Sequence, residues 1–282
     1  MGHIETSHAV KNIIVCADDF AVNQSASLGI IHLARLGRIS ATSAMVLSPR
    51  WPQDAALLQP LRGQIDVGLH LDWTSDFAAA AGHGVSLGAA MGHAVLGGFD
   101  PARARKVVAR QLDLFEAHWH AAPDYVDGHQ HVQQFAGIRQ ALVDELTQRY
   151  GRQAPKPYLR ISRAPAGLAD LKSRVIAWMG ANALENIAVQ SGFVRARGLF
   201  GVYNFGVDPA RYATLMRRWL ARGPEGAILM CHPAQAAEPG DEIGPARAQE
   251  FAYLASPAFA AALAAAQVQV ARGGACLSAL TG

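Results

Sequence analysis

The feature that most constrains the fold of this chain is a regular alternation of short apolar segments with helical segments. About eight segments rich in branched apolar residues indicate strands, and a segment with helical periodicity follows most of them. These segments cover residues 12–17, 40–47, 65–71, 124–128, 157–161, 198–205, 226–231 and 267–270. Such alternation is typical of a mainly parallel sheet covered by helices.

At this length a parallel sheet covered by helices forms either a closed barrel or an open sheet. No G-x-G-x-x-G motif follows the first strand, so the fingerprint of an open dinucleotide-binding sheet is absent. No internal repeat or linker divides the 282 residues. We therefore predict one barrel-like domain over residues 1–282 with mainly parallel strands, in which residues 1–11 form a flexible tail. The Gly- and Ala-rich stretch 74–98 has no clear period, and we predict a long loop or lid there.

The composition excludes several classes of protein. Hydrophobic residues make up 51% of the chain and charged residues 17%, so disorder is excluded as the main state. The net charge is +3 and the basic residues are scattered, which does not indicate a surface for nucleic acid. Three cysteines are too few for a disulfide scaffold. No apolar run reaches about 18 residues and the N-terminus lacks a signal-peptide core, so we predict no membrane span and a cytoplasmic location.

Polar residues recur where the predicted strands end. In a parallel barrel the carboxyl ends of the strands share one face, which is the face that carries the active site in known barrels. We therefore expect five separate polar insertions to lie together on that face. They are Asp18-Asp19, His70, the run from Asp127 to His131, Arg160 and His232.

Each of these residues alone also has an ordinary structural interpretation. Asp18-Asp19 suit a helix cap, His70 a buried core histidine, and His129 and His131 a polar surface loop. Taken together, one carboxylate and two imidazoles on different strands suit a metal site with open positions. Such a site favours Zn²⁺, Fe²⁺, Co²⁺ or Ni²⁺. Mg²⁺ is less favoured because it prefers oxygen ligands.

Five segments resemble the YdjC-like carbohydrate deacetylase family, which includes chitooligosaccharide deacetylases and hopanoid-associated deacetylases. They are IIVCADDF (13–20), VGLHLDWT (67–74), YVDGHQHVQQF (125–135), LRIS (159–162) and LMCHPA (229–234). The resemblance implies a distorted (β/α) barrel related to the polysaccharide deacetylases. It also implies a metal-dependent enzyme that removes the acetyl group of an N-acetylated amino sugar, as an oligosaccharide or a glycolipid, and releases acetate.

The resemblance assigns roles by position. It implies three ligands for one divalent metal ion, Zn, Co, Ni or Mg, at Asp19, His70 and His129. It also implies three catalytic residues: Asp18 as general base, His232 as general acid, and Arg160 as the arginine that orients the base. A general acid must carry its proton, so His232 is expected to be an imidazolium.

Four residues are predicted to contact the substrate: Trp73, Asp127, His131 and Gln133. The chain departs from the family pattern at two positions. Ala21 stands where the family commonly has Gly, and Gln133 stands where many members have a further His. Position 133 is expected to face the pocket, so Gln133 bears on substrate preference.

The resemblance also implies a homodimer, in which the apolar region from Phe193 to Phe205 packs against a second subunit. Two other functions stay open. The first is a different metallohydrolase activity on the same barrel, such as a deformylase or a phosphoesterase acting on a lipid-linked sugar. Arg160, Arg163 and Arg197 are then the candidate phosphate contacts. The second is a non-catalytic sugar-binding protein, which predicts the loss of a ligand or base, and none is lost here.

Overall fold

All eight predicted strands are present in the computed structural model, which describes residues 10–278. Residues 1–9 of the predicted tail lie outside the described residues, whereas Lys11 already belongs to the first strand. All of the strand pairs are parallel. The strands are β1 (Lys11–Phe20), β2 (Ala41–Ala44), β3 (Asp66–Leu71), β4 (Tyr125–Gly128), β5 (Tyr158–Leu159), β6 (Leu199–Phe200), β7 (Ile228–Cys231) and β8 (Val268–Val270).

Helices connect the strands and cover the sheet. Asp100 and Asp208 begin two of them, and each carboxylate accepts a hydrogen bond from a backbone N–H three residues later. The helices are α1 (Gln24–Arg35), α2 (Trp51–Leu58), α3 (Asp76–Ala80), α4 (Leu87–Val95), α5 (Pro101–Trp119), α6 (Ile138–Tyr150), α7 (Leu171–Trp178), α8 (Ala181–Gln190), α9 (Pro209–Arg222), α10 (Gly244–Ala255), α11 (Pro257–Ala265) and α12 (Gly273–Ser278).

The sheet curls into a distorted barrel, as predicted. Its strand order is β5-β4-β3-β2-β1-β7-β6, and β8 pairs with the first residues of β1. The two edges meet at a single bridge between Leu159 of β5 and Arg195, just before β6. Because β5 and β6 have only two residues each, the barrel closes through this bridge rather than through a full ladder.

Two helical regions differ from the prediction. The stretch 74–98, predicted as a loop, contains α3 and α4, and Ser75 and Ser86 cap them. Residues 168–188, predicted as one helical segment, form α7 and α8. The break lies at Gly180, whose φ is +135° and whose missing Cβ leaves room for the Gln134 carbonyl.

The end of α5 offers a stability prediction. His120 follows its last residue with φ of 56°, in the left-handed region where glycine is preferred. We expect His120→Gly to raise the free energy of unfolding by about 1 kcal/mol. His118→Gly, in the last turn of the same helix, is the matched control and is expected to lower it by about 1 kcal/mol. Urea denaturation measures both, and a loss of stability in the first variant contradicts the prediction.

Candidate active site

The inward-facing side of the strands changes from apolar to polar at the carboxyl end. Successive side chains of a strand alternate between its two faces, so residues two apart share a face. Four residues of one buried cluster are each followed two positions later by a polar residue. The pairs are Cys16 and Asp18 on β1, Tyr125 and Asp127 on β4, Tyr158 of β5 and Arg160 just after it, and Met230 of β7 and His232 just after it.

The two adjacent aspartates at the end of β1 have different partners because the strand is irregular there. The pairing of β1 with β2 shifts register in this stretch, and Asp19 has a φ of 63°. Asp18 contacts Arg160, whereas Asp19 contacts His70 and His129. Neighbouring positions in the sequence thus contact different side chains.

A similar backbone conformation follows at Ala21, where the sequence departs from the family pattern. Its φ is 72°, a region that L-residues rarely adopt and that glycine adopts freely. The glycine that the resemblance implies at this position therefore matches the backbone geometry. The chain holds Ala21 there with two hydrogen bonds, one from its N–H to Ser27 Oγ and one from Ser48 Oγ to its carbonyl.

Asp19, His70 and His129 form a group that could hold a metal ion. Asp19 Oδ1 lies 3.3 Å from His70 Nε2 and 3.2 Å from His129 Nδ1. One ligand atom of each residue lies within 4.8 Å of the others. His70 Nδ1 donates to Asp127 Oδ1 at 2.6 Å, which fixes the ring with Nε2 toward Asp19. One carboxylate and two oriented imidazoles therefore fit a divalent metal ion.

Charges around this group keep Asp19 ionised. Burial alone raises the pKa of Asp19, but the Arg247 guanidinium and the two imidazoles hold that pKa well below its ordinary value. Burial lowers the pKa of His70, but Asp127 and Asp19 outweigh it and raise that pKa to about 10. The Nε2 proton that His70 directs at Asp19 is the one a metal ion displaces, so metal binding is expected to release a proton.

Asp18 is held at both oxygens by Arg160. Arg160 Nη1 donates to Asp18 Oδ1 at 2.7 Å, and Nη2 donates to Oδ2 at 2.9 Å. Arg160 Nη1 also lies 2.8 Å from Asp127 Oδ2. Burial alone raises the pKa of Asp18, but Arg160 and His70 outweigh it and lower that pKa to about 2. Arg160 therefore lies where an arginine that orients Asp18 must lie, and both catalytic roles stay predictions.

His232 follows β7 and lines the same cavity as Asp18 and Asp19. Its backbone N–H donates to Glu250 Oε2 at 2.5 Å, and its ring packs edge-on against Phe205. Burial lowers the pKa of His232 to about 4, despite the attraction of Asp19 and Asp18. The resting imidazole is therefore neutral at pH 7, whereas the predicted role required a proton on it. A general-acid role requires His232 to gain that proton during the reaction.

Of the four predicted substrate contacts, His131 lines the cavity and the other three do not. Trp73, Asp127 and Gln133 are each at most 2% exposed. Trp73 packs edge-on against Phe99, in the core. The structure therefore gives these three side chains a supporting place behind the cavity wall, contrary to the prediction.

Gln133 and Asp127 support the site through hydrogen bonds. The Gln133 side-chain amide donates to the Arg160 carbonyl at 3.1 Å and to Ser162 Oγ at 3.0 Å. Ser162 Oγ in turn lies 3.1 Å from His131 Nδ1. Asp127 contacts His70 and Arg160, so it joins the metal-type group to the Asp18 network.

A cavity of about 870 Å³ opens above these residues. Its walls are polar at the strand ends and apolar along α4 and α7, so part of the predicted loop 74–98 forms one wall. The polar residues that line it include Asp18, Asp19, His70, His129, His131 and His232, and the apolar ones include Leu87, Met91, Val175, Ile176, Met179 and Phe205.

Two charged residues of this site, Arg247 and Glu250, are not among those that the sequence predicted. Both lie on α10 and are at most 4% exposed. Arg247 contacts Asp19, and Glu250 accepts the His232 N–H. In the sequence they stand among alanines in a helix, where charged residues usually face solvent. The only available signal is their spacing of three, which places them on the same side of a helix.

Most aromatic side chains of the predicted dimer surface are buried within the chain itself. Phe193, Phe200 and Tyr203 are buried in the core of the described residues. The aromatic side chains of the region 193–205 therefore do not form the exposed apolar face that the prediction required. The homodimer stays a prediction. Within residues 10–278 no helix is both long and apolar enough to cross a membrane.

The fold and the site together define a class: a parallel β/α barrel with a potential metal-binding group of one carboxylate and two imidazoles at its strand ends. Comparison with known sequences identifies the family. The chain belongs to the YdjC-like protein family, whose sequence profile matches residues 12–265. This confirms the resemblance seen in the five sequence segments.

One protein is similar to this chain in sequence, and another is similar in fold. A chitooligosaccharide deacetylase from Serratia marcescens is 27% identical over 238 residues, which are 79% of this chain and 82% of that protein. A protein of Enterococcus faecalis V583, provisionally named for cleavage of cellobiose phosphate, is similar in structure. Its TM-score is 0.70 at 16% identity, covering 94% of this chain and 98% of that one.

A more distant structural likeness supports the fold alone. The Xyl-CE4 domain of a multidomain xylanase from the hindgut metagenome of Trinervitermes trinervoides has a TM-score of 0.52 at 8% identity. The match covers 96% of this chain and 91% of that one. The barrel fold is therefore shared with this domain.

Proposed function

We propose that this chain hydrolyses the acetamide of an N-acetylated amino sugar and releases acetate, with one divalent metal ion bound by Asp19, His70 and His129. The observation that carries the proposal is the meeting of this group with the Asp18–Arg160 pair and His232 at one end of a single cavity. Membership of the YdjC-like family and the 27% identical chitooligosaccharide deacetylase support the reaction and the substrate class.

The side chains divide the reaction between them. When bound, the metal ion supplies Lewis acidity toward the acetyl carbonyl and lowers the pKa of water, so that a carboxylate as weakly basic as Asp18 suffices. Asp18, fixed by Arg160, accepts a proton from the attacking water. His232 delivers a proton to the nitrogen as the C–N bond breaks. Because the imidazole is neutral at rest, it takes this proton from solvent water as negative charge develops on the carbonyl oxygen, and Asp18 returns the proton it accepted to solvent after the C–N bond breaks.

The shape of the cavity bears on the substrate. Leu87 and Val175 line the cavity and are also 38% and 40% exposed, so the apolar lining continues to the surface. Phe205 lines the wall nearer His232. This continuity favours an amino sugar that carries an apolar group, a glycolipid, over an entirely polar oligosaccharide.

A panel of N-acetylated sugars, free and lipid-linked, tests the proposal. Protein stripped of metal is reloaded with Zn²⁺, Co²⁺, Ni²⁺ or Mg²⁺, and acetate release is measured. We expect release from at least one amino sugar with a transition metal, and no release from the stripped protein. Metal-loaded protein that releases acetate from no member of the panel contradicts the proposal.

The phosphoesterase alternative receives little support from the basic residues that suggested it. Arg163 contacts Asn182 and Glu185, and both Arg163 and Arg197 line a different cavity from the metal-type group. Arg160 is buried and occupied by Asp18 and Asp127. The lysine and arginine side chains among the described residues that line the main cavity are Lys172 and Arg247. A phosphate group would therefore find no cluster of free guanidinium groups there.

A further inference from the structure

Arg247 is a buried charge that the proposed reaction does not yet use. Its side chain is 4% exposed, and its Nη2 donates to Asp19 Oδ2 at 2.7 Å. Its Nε donates to Asp241 Oδ2 at 2.8 Å. The guanidinium therefore links two carboxylates, one of which is a proposed metal ligand.

Asp241, the second carboxylate that Arg247 contacts, is also held by hydrogen bonds. Asp241 Oδ2 accepts a hydrogen bond from Asn23 Nδ2 at 3.1 Å, and Oδ1 accepts one from the Ile243 N–H at 3.2 Å. The Arg247 carbonyl accepts the N–H of Ala234 at 3.1 Å. Both the backbone and the side chain of Arg247 are thus fixed by contacts other than the one with Asp19.

The contacts of Asp19 divide its two oxygens. Oδ1 faces His70 and His129, whereas Oδ2 is occupied by Arg247. We propose that Arg247 is a positioning residue that limits Asp19 to ligation through one oxygen and holds that oxygen between the two imidazoles. This inference rests on the proposed function, since it requires a metal ion at this group.

The charge and the shape of Arg247 predict opposite effects on metal affinity. A positive charge near the site repels a cation, so a residue acting through charge alone weakens metal binding. A planar fork that holds a ligand in place strengthens metal binding. Lysine keeps the charge but offers only a point donor, which cannot bridge Asp19 and Asp241. Methionine removes both the charge and the fork, so the two substitutions separate the effects.

Metal titration of the stripped protein tests the inference. We expect Arg247→Lys and Arg247→Met both to weaken Co²⁺ and Zn²⁺ binding by about 10- to 100-fold in calorimetry. The visible absorption spectrum of bound Co²⁺ is expected to change in both variants, because Asp19 can then offer either oxygen. Arg103→Lys, at an exposed position of α5, is the matched control and is expected to change neither readout.

The outcomes separate the inference from the proposed function. Wild-type protein that binds no metal overturns both. Wild-type protein that binds metal while Arg247→Lys binds it equally, with the same Co²⁺ spectrum, overturns the inference alone, as does tighter binding by Arg247→Met. If neither Arg247 variant folds, Asp241→Asn keeps Arg247 and weakens its anchor. It is expected to show the same spectral change with a smaller loss of affinity, and an unchanged spectrum overturns the inference.

Discussion

Replacing Asp18 by Asn is expected to lower the rate of acetate release by about 10²- to 10⁴-fold while leaving the metal in place. The amide has nearly the shape of the carboxylate, so the space beside Arg160 stays filled. It accepts no proton from water, which removes the proposed base. The metal-type group does not include Asp18, so metal content is expected to stay at that of the wild type.

The measurement needs three readouts on the same preparation: acetate release, metal content by elemental analysis, and thermal unfolding. Arg160 keeps its contact with Asp127 in this variant, so we expect the barrel to remain folded. Asp144→Asn, the same change on an exposed position of α6, is the matched control and is expected to keep full activity. Acetate release by Asp18→Asn at the wild-type rate contradicts the base assignment.

Replacing His70 or His129 by Ala is expected to abolish stoichiometric metal binding, and with it acetate release. Each substitution removes one of three ligand atoms from the group around Asp19. The two variants should differ in stability. His70 is buried and paired with Asp127, so its loss leaves a buried carboxylate without one partner. The His129 side chain is 22% exposed, so its loss should cost less.

Metal content and urea denaturation measure both expectations. His118→Ala, on α5 and outside the cavity wall, is the matched control and should retain metal. A variant that retains stoichiometric metal shows that its histidine is not a ligand. Equal losses of unfolding free energy in the two variants contradict the expectation that His70→Ala is the less stable of the two.

The fold was largely predictable because its signals are local. Each strand carries its own run of buried apolar residues, and α5 and α9 each begin at a capping aspartate next to them in the sequence, Asp100 and Asp208. The failures lie where such signals are weak. The stretch 74–98 is rich in Gly and Ala, so its helices show no periodic pattern of large apolar side chains. The break between α7 and α8 depends on Gln134, which is remote in the sequence.

The site was predictable in part for a related reason. Asp18, Asp19, His70, His129, Arg160 and His232 all follow strands, and the parallel topology brings strand ends together. The direction of each side chain was not predictable. Trp73 and Gln133 occur within matching segments, yet both side chains turn away from the cavity into the core.

The sequence by itself determined the β/α class, the family and the edge of the barrel on which the polar residues gather, since these follow from periodicity and from short segments read in order. Only the tertiary structure decided which oxygen of Asp19 faces the two imidazoles, that Arg160 holds Asp18, that burial lowers the pKa of His232, and that Arg247 and Glu250 of α10 support the site. These depend on side chains up to 228 residues apart in the chain. Their distances, burial and charges exist only once the barrel has closed.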